Sequence, residues 1–153
     1  MKDDKLELWL ISNKVWHHFI EKIDTIHTAD ASSVTGIELH RITKNLVATT
    51  EKGEHVILII PGDMKVDLKE AARVLRVKNV RLMSFDQSEA ISGFPPGGTP
   101  SLGFKTSMRV IVDIELQKFT TFYCGGGVRN RLLEVRFEDV MKFNRALLVK
   151  ISI

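Results

Sequence analysis

A short segment rich in glycine and proline constrains this chain more than any other. Gly93 to Gly103 reads GFPPGGTPSLG and holds four of the ten glycines and three of the four prolines. Glycine permits positive φ angles and close approach to the backbone, whereas proline fixes φ and removes an N–H donor. The segment, here called the glycine loop, therefore interrupts helix and strand alike. Taken alone it is either a tight structural corner or a site where backbone groups contact a ligand.

Length and composition indicate one globular domain over residues 1–153, because 44% hydrophobic and 27% charged residues are ordinary values for such a chain. No apolar run approaches the roughly 20 residues of a membrane span, and the N-terminus lacks the features of a signal peptide. We therefore expect a cytoplasmic protein with no membrane partner. The net charge of +3 is compatible with a polyanionic partner without predicting one.

Hydrophobic periodicity predicts helices and strands in mixed order. Apolar spacings of three and four predict an amphipathic helix over residues 5–23, within an N-terminal segment 1–25. A hairpin follows, and its second strand, HVILIIP, is apolar enough to be buried on both faces. The predicted strands are 42–50, 55–61, 80–85, 108–116, 120–124, 132–137 and 146–153, and the later helices are 67–77, 87–92 and 138–143. About seven strands and four helices without regular βαβ alternation indicate a mixed α/β fold of the α+β class.

Lys44 lies at an unusual position in the first predicted strand. It shares parity with Ile42, Leu46 and Ala48, so its side chain starts on the apolar face of the strand. Either its ammonium extends along its own stem to water, or it projects into a pocket and meets an anion or a carbonyl oxygen. The strand alone leaves both interpretations open.

The predicted helix from Asp67 carries the densest basic stripe of the chain. Lys69, Arg73 and Arg76 fall on the side opposite the apolar positions. The stripe is either a solvated helix face or a surface that contacts nucleic-acid phosphates.

The usual hydrolase and nucleotide-binding motifs are absent. Thr99 stands where a nucleophile elbow needs its first glycine, and the glycine-rich segments match neither a P-loop nor G-x-G-x-x-G. Only His55 lies beyond residue 40, which disfavours a histidine-based triad near the glycine loop. Cys124, the single cysteine, excludes an intramolecular disulfide and a thiolate metal cluster; at a strand end we expect it to be structural.

What remains is a lysine on a strand and two glycine-rich segments, the glycine loop and Gly125–Gly127, here called the glycine turn. Backbone N–H groups can stabilise the oxyanion that forms during ester hydrolysis, a contribution on the order of 3 kcal/mol per donor. Water can then act as the nucleophile.

At these residues the chain resembles the YbaK family, aminoacyl-tRNA deacylase domains related to the editing insertion of bacterial prolyl-tRNA synthetases. The resemblance covers roughly residues 28–145 and rests on four blocks in order: ITKNLV, GFPPGGTPSLG, MRVIVDIEL and TTFYCGGGVRNRLLEVRFEDV. It implies a curved mixed sheet or barrel flanked by helices. It also implies hydrolysis, without metal or organic cofactor, of the ester that joins a wrong amino acid to the 3′-terminal adenosine of a tRNA. A mischarged tRNA is then the substrate, and an aminoacyl-tRNA synthetase is a further partner.

The resemblance also assigns site residues. Lys44 would hold the terminal nucleotide or the ester, Gly98 with Gly97 and Thr99 would supply backbone groups to the ester and water, and Pro100, Gly125 and Gly126 would complete the substrate site. Independently of the resemblance, the basic stripe at Lys69, Arg73 and Arg76 predicts where a tRNA would bind. The sequence departs from the family where the loop often has proline, since Ser101 stands there and the proline is Pro100.

Two other functions fit the same residues. The first is a non-catalytic tRNA- or nucleotide-binding module that keeps the fold. The second is a hydrolase of a small nucleotide or amino-acid ester, whose turnover would not depend on the body of the tRNA.

Overall fold

The computed structural model describes residues 4–153, which fold into eight strands and five α-helices. The strands are β1 (His17–Glu21), β2 (Thr43–Thr50), β3 (His55–Pro61), β4 (Val80–Leu82), β5 (Arg109–Asp113), β6 (Thr121–Gly125), β7 (Arg131–Arg136) and β8 (Leu147–Val149). The helices are α1 (Lys5–Ser12), α2 (Thr28–Thr35), α3 (Leu68–Leu75), α4 (Phe85–Ser92) and α5 (Phe137–Asn144). Single 3-10 turns follow α2 and β5, at Leu39–Arg41 and Ile114–Lys118. The predicted α+β class is confirmed.

The strands form two open sheets, and no barrel closes within the described residues. One sheet has the order β1-β7-β6 and is antiparallel. The other has the order β4-β2-β3-β5-β8, with antiparallel pairs on the β2 side and parallel pairs from β3 to β8. A parallel bridge between Ile42 and Tyr123 joins the start of β2 to β6. This bridge brings the lysine strand and the glycine turn together.

The buried strand β3 separates the two main parts of the core. Ile57 and Ile59 pack toward the three-stranded sheet, whereas Val56, Leu58 and Ile60 pack toward α3. All five side chains are completely buried. The prediction that this strand is buried on both faces is confirmed.

The N-terminal prediction is right for its first half and wrong for its second. α1 begins after Asp4, whose carboxylate accepts a hydrogen bond from the Glu7 N–H at 3.1 Å, and it ends at Ser12. Lys14 then adopts a φ of 55°, a left-handed value that is incompatible with continuation of the α-helix. Residues His17–Glu21 pair antiparallel with β7. The apolar residues of this segment have the spacing of a helix, but the segment is rich in aromatic and β-branched residues and pairs with β7 as a strand. Residues 1–3 lie outside the described part.

The helix predicted from Asp67 is confirmed as α3, with the Asp67 carboxylate accepting from the Glu70 N–H at 3.1 Å. The strand predicted over residues 80–85 is shorter, because β4 ends at Leu82 and Ser84 caps α4. Phe85 is therefore the first residue of a helix instead of the last of a strand. No helix in the described range is long and apolar enough to cross a membrane.

Candidate active site

A cavity of about 670 Å³ opens beside the first half of β2. β4 pairs with Ala48–Thr50 only, so the preceding residues of β2 have an edge that no described strand covers. The start of α2, the tip of the glycine loop and the start of α3 form the other walls. This volume is within the range of sites that bury most of a small ligand.

Lys44 lies in the wall of this cavity. Its side chain is half-buried, and its ammonium donates a hydrogen bond to the main-chain carbonyl of Met64 at 2.8 Å. A carbonyl dipole orients the ammonium without cancelling its charge, so the cation can still bind a phosphate, carbonyl or hydroxyl oxygen. The structure therefore favours the interpretation in which Lys44 projects into a pocket.

The glycine loop and the glycine turn contact each other through their backbones. Gly125 N–H donates to Thr99 O at 3.1 Å, and Gly127 N–H donates to Gly98 O at 2.8 Å. A Cβ on Gly125 would lie 2.4 Å from the carbonyl carbon of Gly98, a distance no side chain tolerates. Glycine is needed at position 125 because another backbone occupies the place of a side chain.

Of the predicted residues of the two glycine segments, Gly97, Thr99 and Gly125 line the cavity together with Lys44. The N–H groups of Gly97 and Thr99 make no hydrogen bond within residues 4–153. Both residues therefore line the cavity and have an N–H group without an internal partner.

Gly98, Pro100 and Gly126 are buried behind the wall and do not line the cavity. The N–H of Gly98 donates to Pro95 O at 2.9 Å, and that of Gly126 donates to Arg131 O at 3.0 Å. Neither N–H can therefore bind a substrate without giving up its internal partner. The three residues support the wall.

The outer side of the glycine loop is held by two basic residues that the sequence did not reveal. Arg129 Nε donates to Pro96 O at 2.9 Å. Lys22 Nζ donates to Arg129 O and, at 2.6 Å, to Thr25 Oγ1, and burial lowers the pKa of this lysine. No local pattern links positions so far apart in the chain. Within the described residues no three His, Cys, Asp or Glu side chains come together as a metal site.

Comparison with protein families identifies the family to which this fold belongs. The model of the aminoacyl-tRNA editing domain matches residues 21–143. The chain belongs to the aminoacyl-tRNA editing domain family. The resemblance inferred from Lys44 and the glycine segments is therefore confirmed at the level of the family.

Individual relatives of this editing domain are distant. The chain is 26% identical over 136 residues to EbsC of Enterococcus faecalis, a candidate Cys-tRNA(Pro)/Cys-tRNA(Cys) deacylase, over 89% of this chain and 83% of that protein. It is 28% identical over 113 residues to the proline–tRNA ligase of Cupriavidus necator, over 72% of this chain and 19% of the ligase. The crystal structure of a candidate trans-editing enzyme for prolyl-tRNA synthetase has a TM-score of 0.84 at 20% identity, over 100% of this chain and 99% of that one. That structural match shows the fold.

A polar network on the other face of β2 ties the lysine strand of this editing domain to its glycine loop. Asn45 Nδ2 donates to Thr99 O at 3.2 Å, and its Oδ1 accepts from Ser101 Oγ at 2.6 Å. Ser101, which replaces the expected proline, is completely buried and lies 3.3 Å from Thr43 Oγ1. The departure in the sequence thus supplies a hydroxyl that helps to fix the loop. Asn45 was missed because the alternation of the strand directed attention to Lys44.

The predicted basic stripe of the editing domain is an exposed face of α3. Lys69, Arg73 and Arg76 are all exposed, and Arg76 ends the helix in the left-handed region with a φ of 59°. Arg73 pairs with Glu70, which raises the pKa of the guanidinium through their hydrogen bond. Lys65, which precedes the helix, and Leu68, its first residue, line the cavity. The N-terminal end of the basic face, at Lys69, therefore adjoins the cavity.

Cys124 is a structural thiol. It is completely buried, and burial raises its pKa from 9.0 to about 12 although Ser101 contacts lower it. At neutral pH the sulfur is protonated and out of reach of a substrate, so it does not act as a nucleophile.

This buried thiol gives a testable dependence of stability on pH. The unfolded thiol loses its proton near pH 9 and the folded one keeps it, so Cys124 destabilises the fold as pH rises from 9 toward 12. We expect the difference in unfolding free energy between wild type and Cys124→Ala to fall by about 1.4 kcal/mol from pH 7 to pH 10. Urea unfolding of both proteins at both pH values measures it. A difference that stays constant with pH would show that the thiol ionises equally in both states.

Proposed function

We propose that this protein is a freestanding trans-editing deacylase that hydrolyses the ester between a wrong amino acid and the 3′-terminal adenosine of a tRNA. One observation carries the proposal: Lys44, Gly97 and Thr99 line the same cavity. A cation and N–H donors without internal partners, gathered around one cavity, are what an ester and its nucleotide require. A mischarged tRNA is the substrate class.

The residues divide into those that touch the substrate and those that hold them in place. Lys44 binds the terminal nucleotide or the ester carbonyl through its ammonium. The N–H groups of Gly97 and Thr99 are the donors for the oxyanion, in place of the Gly98 N–H, which bonds Pro95 O. Gly125 forms the wall against which Thr99 rests.

The reaction needs only water as a second reactant. Its oxygen attacks the ester carbonyl carbon, and the carbonyl oxygen takes the negative charge that backbone donors stabilise. The C–O bond to the ribose then breaks, and the ribose oxygen takes a proton. The products are a free amino acid and a tRNA with its terminal hydroxyl restored.

The relatives support this substrate class. EbsC, with which the chain aligns over most of both lengths, is named as a candidate deacylase of Cys-tRNA(Pro) and Cys-tRNA(Cys). The prolyl-tRNA ligases carry a matching region within a much longer chain. An aminoacyl-tRNA synthetase whose errors this protein corrects is accordingly the proposed further partner.

A panel of mischarged tRNAs tests the function directly. Each aminoacyl-tRNA, labelled in the amino acid, is incubated with the protein, and the loss of acid-precipitable label is followed against a no-enzyme control. We expect rapid hydrolysis for at least one mischarged pair and slow hydrolysis of the matching correct pair. Uniform background rates across the whole panel would refute a deacylase. Equal turnover of a free aminoacyl-adenosine would point to a small-ester hydrolase instead.

We assign the tRNA body to the basic face of α3, where Lys69, Arg73 and Arg76 are exposed and whose first residue, Leu68, lines the cavity. The variant Arg73→Gln/Arg76→Gln should bind deacylated tRNA several-fold more weakly. The slope of log affinity against log salt concentration should be smaller in magnitude by about two, because each lost phosphate contact releases about one counterion fewer. Filter binding at several salt concentrations gives both values.

A matched control for that variant lies on α5. Lys142 and Arg145 have the same spacing, and Arg145 also ends its helix in the left-handed region, with a φ of 47°. Lys142→Gln/Arg145→Gln should leave affinity and salt slope nearly unchanged. If both variants lose affinity equally, the α3 face is only a solvated surface. Salt-sensitive tRNA binding by a protein that hydrolyses no member of the panel would favour the non-catalytic binding module.

A further inference from the structure

Phe85 is an aromatic side chain left exposed at the mouth of the cavity. It is 57% exposed as the first residue of α4, and it lines the cavity together with Leu82, which is 42% exposed. Trp16 is exposed to 40%, but the Arg136 guanidinium lies over its ring at 5.2 Å. Phe85 makes no ring–ring or cation–ring contact within the described residues. Its ring is therefore available to a flat ligand.

The charges around this rim indicate how a nucleotide would lie on it. Lys65 lines the cavity, and Lys69 and Arg81 are exposed next to cavity-lining residues of α3 and β4. Phosphates are expected on this basic side. Asp86 and Glu89, on α4 itself, disfavour a phosphate directly over Phe85 but not a neutral ring.

The region near the start of α2 is less suited to a polyanion. Two exposed carboxylates, those of Asp24 and Asp30, lie there beside one guanidinium, that of Arg129, and adjoin the cavity-lining residues Thr25 and Ala29. A nucleic-acid strand entering the cavity would therefore approach across α3 and β4, and its terminal base would meet Phe85 before its ribose reaches Lys44.

We propose that Phe85 is the stacking platform for the terminal adenine of the tRNA, an inference that rests on the deacylase function proposed above. Leu82 extends the apolar surface under the base, and Lys44 receives the ribose or ester beyond it. Stacking of a base on an aromatic ring has no counterpart in an aliphatic side chain of similar size, because it depends on the flat π face. This distinction makes the inference testable.

The test uses an uncharged RNA hairpin with the acceptor stem and a 3′-CCA end, in which 2-aminopurine replaces the terminal adenine. Wild-type protein should quench the fluorescence of this base as it stacks. Phe85→Ala and Phe85→Leu should bind about ten-fold more weakly and lose the quenching, whereas Phe85→Tyr should retain both. Trp16→Ala, which removes the other exposed aromatic side chain, should behave as wild type. Phe85 is exposed, so these variants are expected to fold, which circular dichroism checks.

Several outcomes would overturn the inference. They are unchanged affinity and quenching in Phe85→Ala, wild-type behaviour of Phe85→Leu, quenching of 2-aminopurine only at the penultimate position, and no binding of the hairpin by wild type. The hairpin carries no ester, so the result is independent of hydrolysis. A protein that quenches through Phe85 but hydrolyses no mischarged tRNA would refute the deacylase and keep the stacking site. A protein that hydrolyses a mischarged tRNA but shows no effect of the Phe85 variants would support the deacylase and refute the stacking site.

Discussion

Replacing Lys44 with alanine is expected to reduce deacylation of the preferred mischarged tRNA by about 100-fold or more, as removal of a single charge-stabilising donor does in other hydrolases. The ammonium lies in the cavity wall, and Met64 O holds it there at 2.8 Å. Alanine at this position removes the only feature of the side chain that can bind an oxygen. Single-turnover rates at saturating enzyme separate this loss from weaker tRNA binding.

Two further lysine variants sharpen this result. Lys44→Arg keeps the charge but replaces a compact ammonium with a planar fork, so we expect partial activity at most. Lys52→Ala, at the exposed turn that follows β2, should retain the wild-type rate. The unfolding midpoints of all three variants should lie close to that of wild type, because Lys44 is only half-buried. Full activity of Lys44→Ala would remove the lysine from the mechanism.

The sequence was sufficient to predict the class of fold and to mark several residues that line the cavity, because these depend on local patterns. Alternation placed Lys44 on the inner face of its strand, and the density of glycine and proline marked residues 93–103 as a loop. The run HVILIIP could only be buried on both faces. Each of these features can be recognised within a window of about ten residues.

The errors arose where distant partners decide the structure. His17–Glu21 has apolar spacings that suit a helix, yet pairing with Arg131–Val135 makes it a strand. Of the two predicted alternatives, a curved sheet or a barrel, residues 4–153 form open sheets, and the bridge between Ile42 and Tyr123 joins β2 to β6. Neither pairing leaves a mark in the local sequence.

Within the site, the sequence could not identify which glycine has a free donor. Gly97 and Gly98 are adjacent and look equivalent, but the turn to Pro95 O uses the Gly98 N–H and leaves that of Gly97 available. The network of Asn45, Ser101 and Thr99 likewise joins residues more than fifty positions apart. Hydrogen-bond partners of this kind follow from the folded backbone, and residue types alone do not predict them.

The close contact between the glycine loop and the glycine turn leads to the second large effect, which is expected for Gly125→Ala. The added Cβ would lie 2.4 Å from Gly98 C, 2.5 Å from Thr99 O and 2.6 Å from Thr99 N. The loop must move away from the turn, which moves the Thr99 N–H at the cavity wall. We expect a loss of about 1–3 kcal/mol in unfolding free energy. Because small misplacements of a reacting group are costly, the hydrolysis rate should fall by about 100-fold.

Two other glycines show whether this loss comes from the contact or from glycine replacement in general. Gly53→Ala places a Cβ in open space at a φ of 80°, so it should cost stability through backbone strain while leaving the rate unchanged. In Gly98→Ala the added Cβ would lie 2.9 Å from Val128 N, which is a milder overlap. This variant should hydrolyse the tRNA at an intermediate rate, and it can be measured even if Gly125→Ala does not fold. Thermal unfolding and single-turnover hydrolysis well below the unfolding midpoint measure the two effects separately. Wild-type rates in both Gly98→Ala and Gly125→Ala would mean that the loop adjusts freely, and the backbone donors at Gly97 and Thr99 would then not be fixed elements of the site.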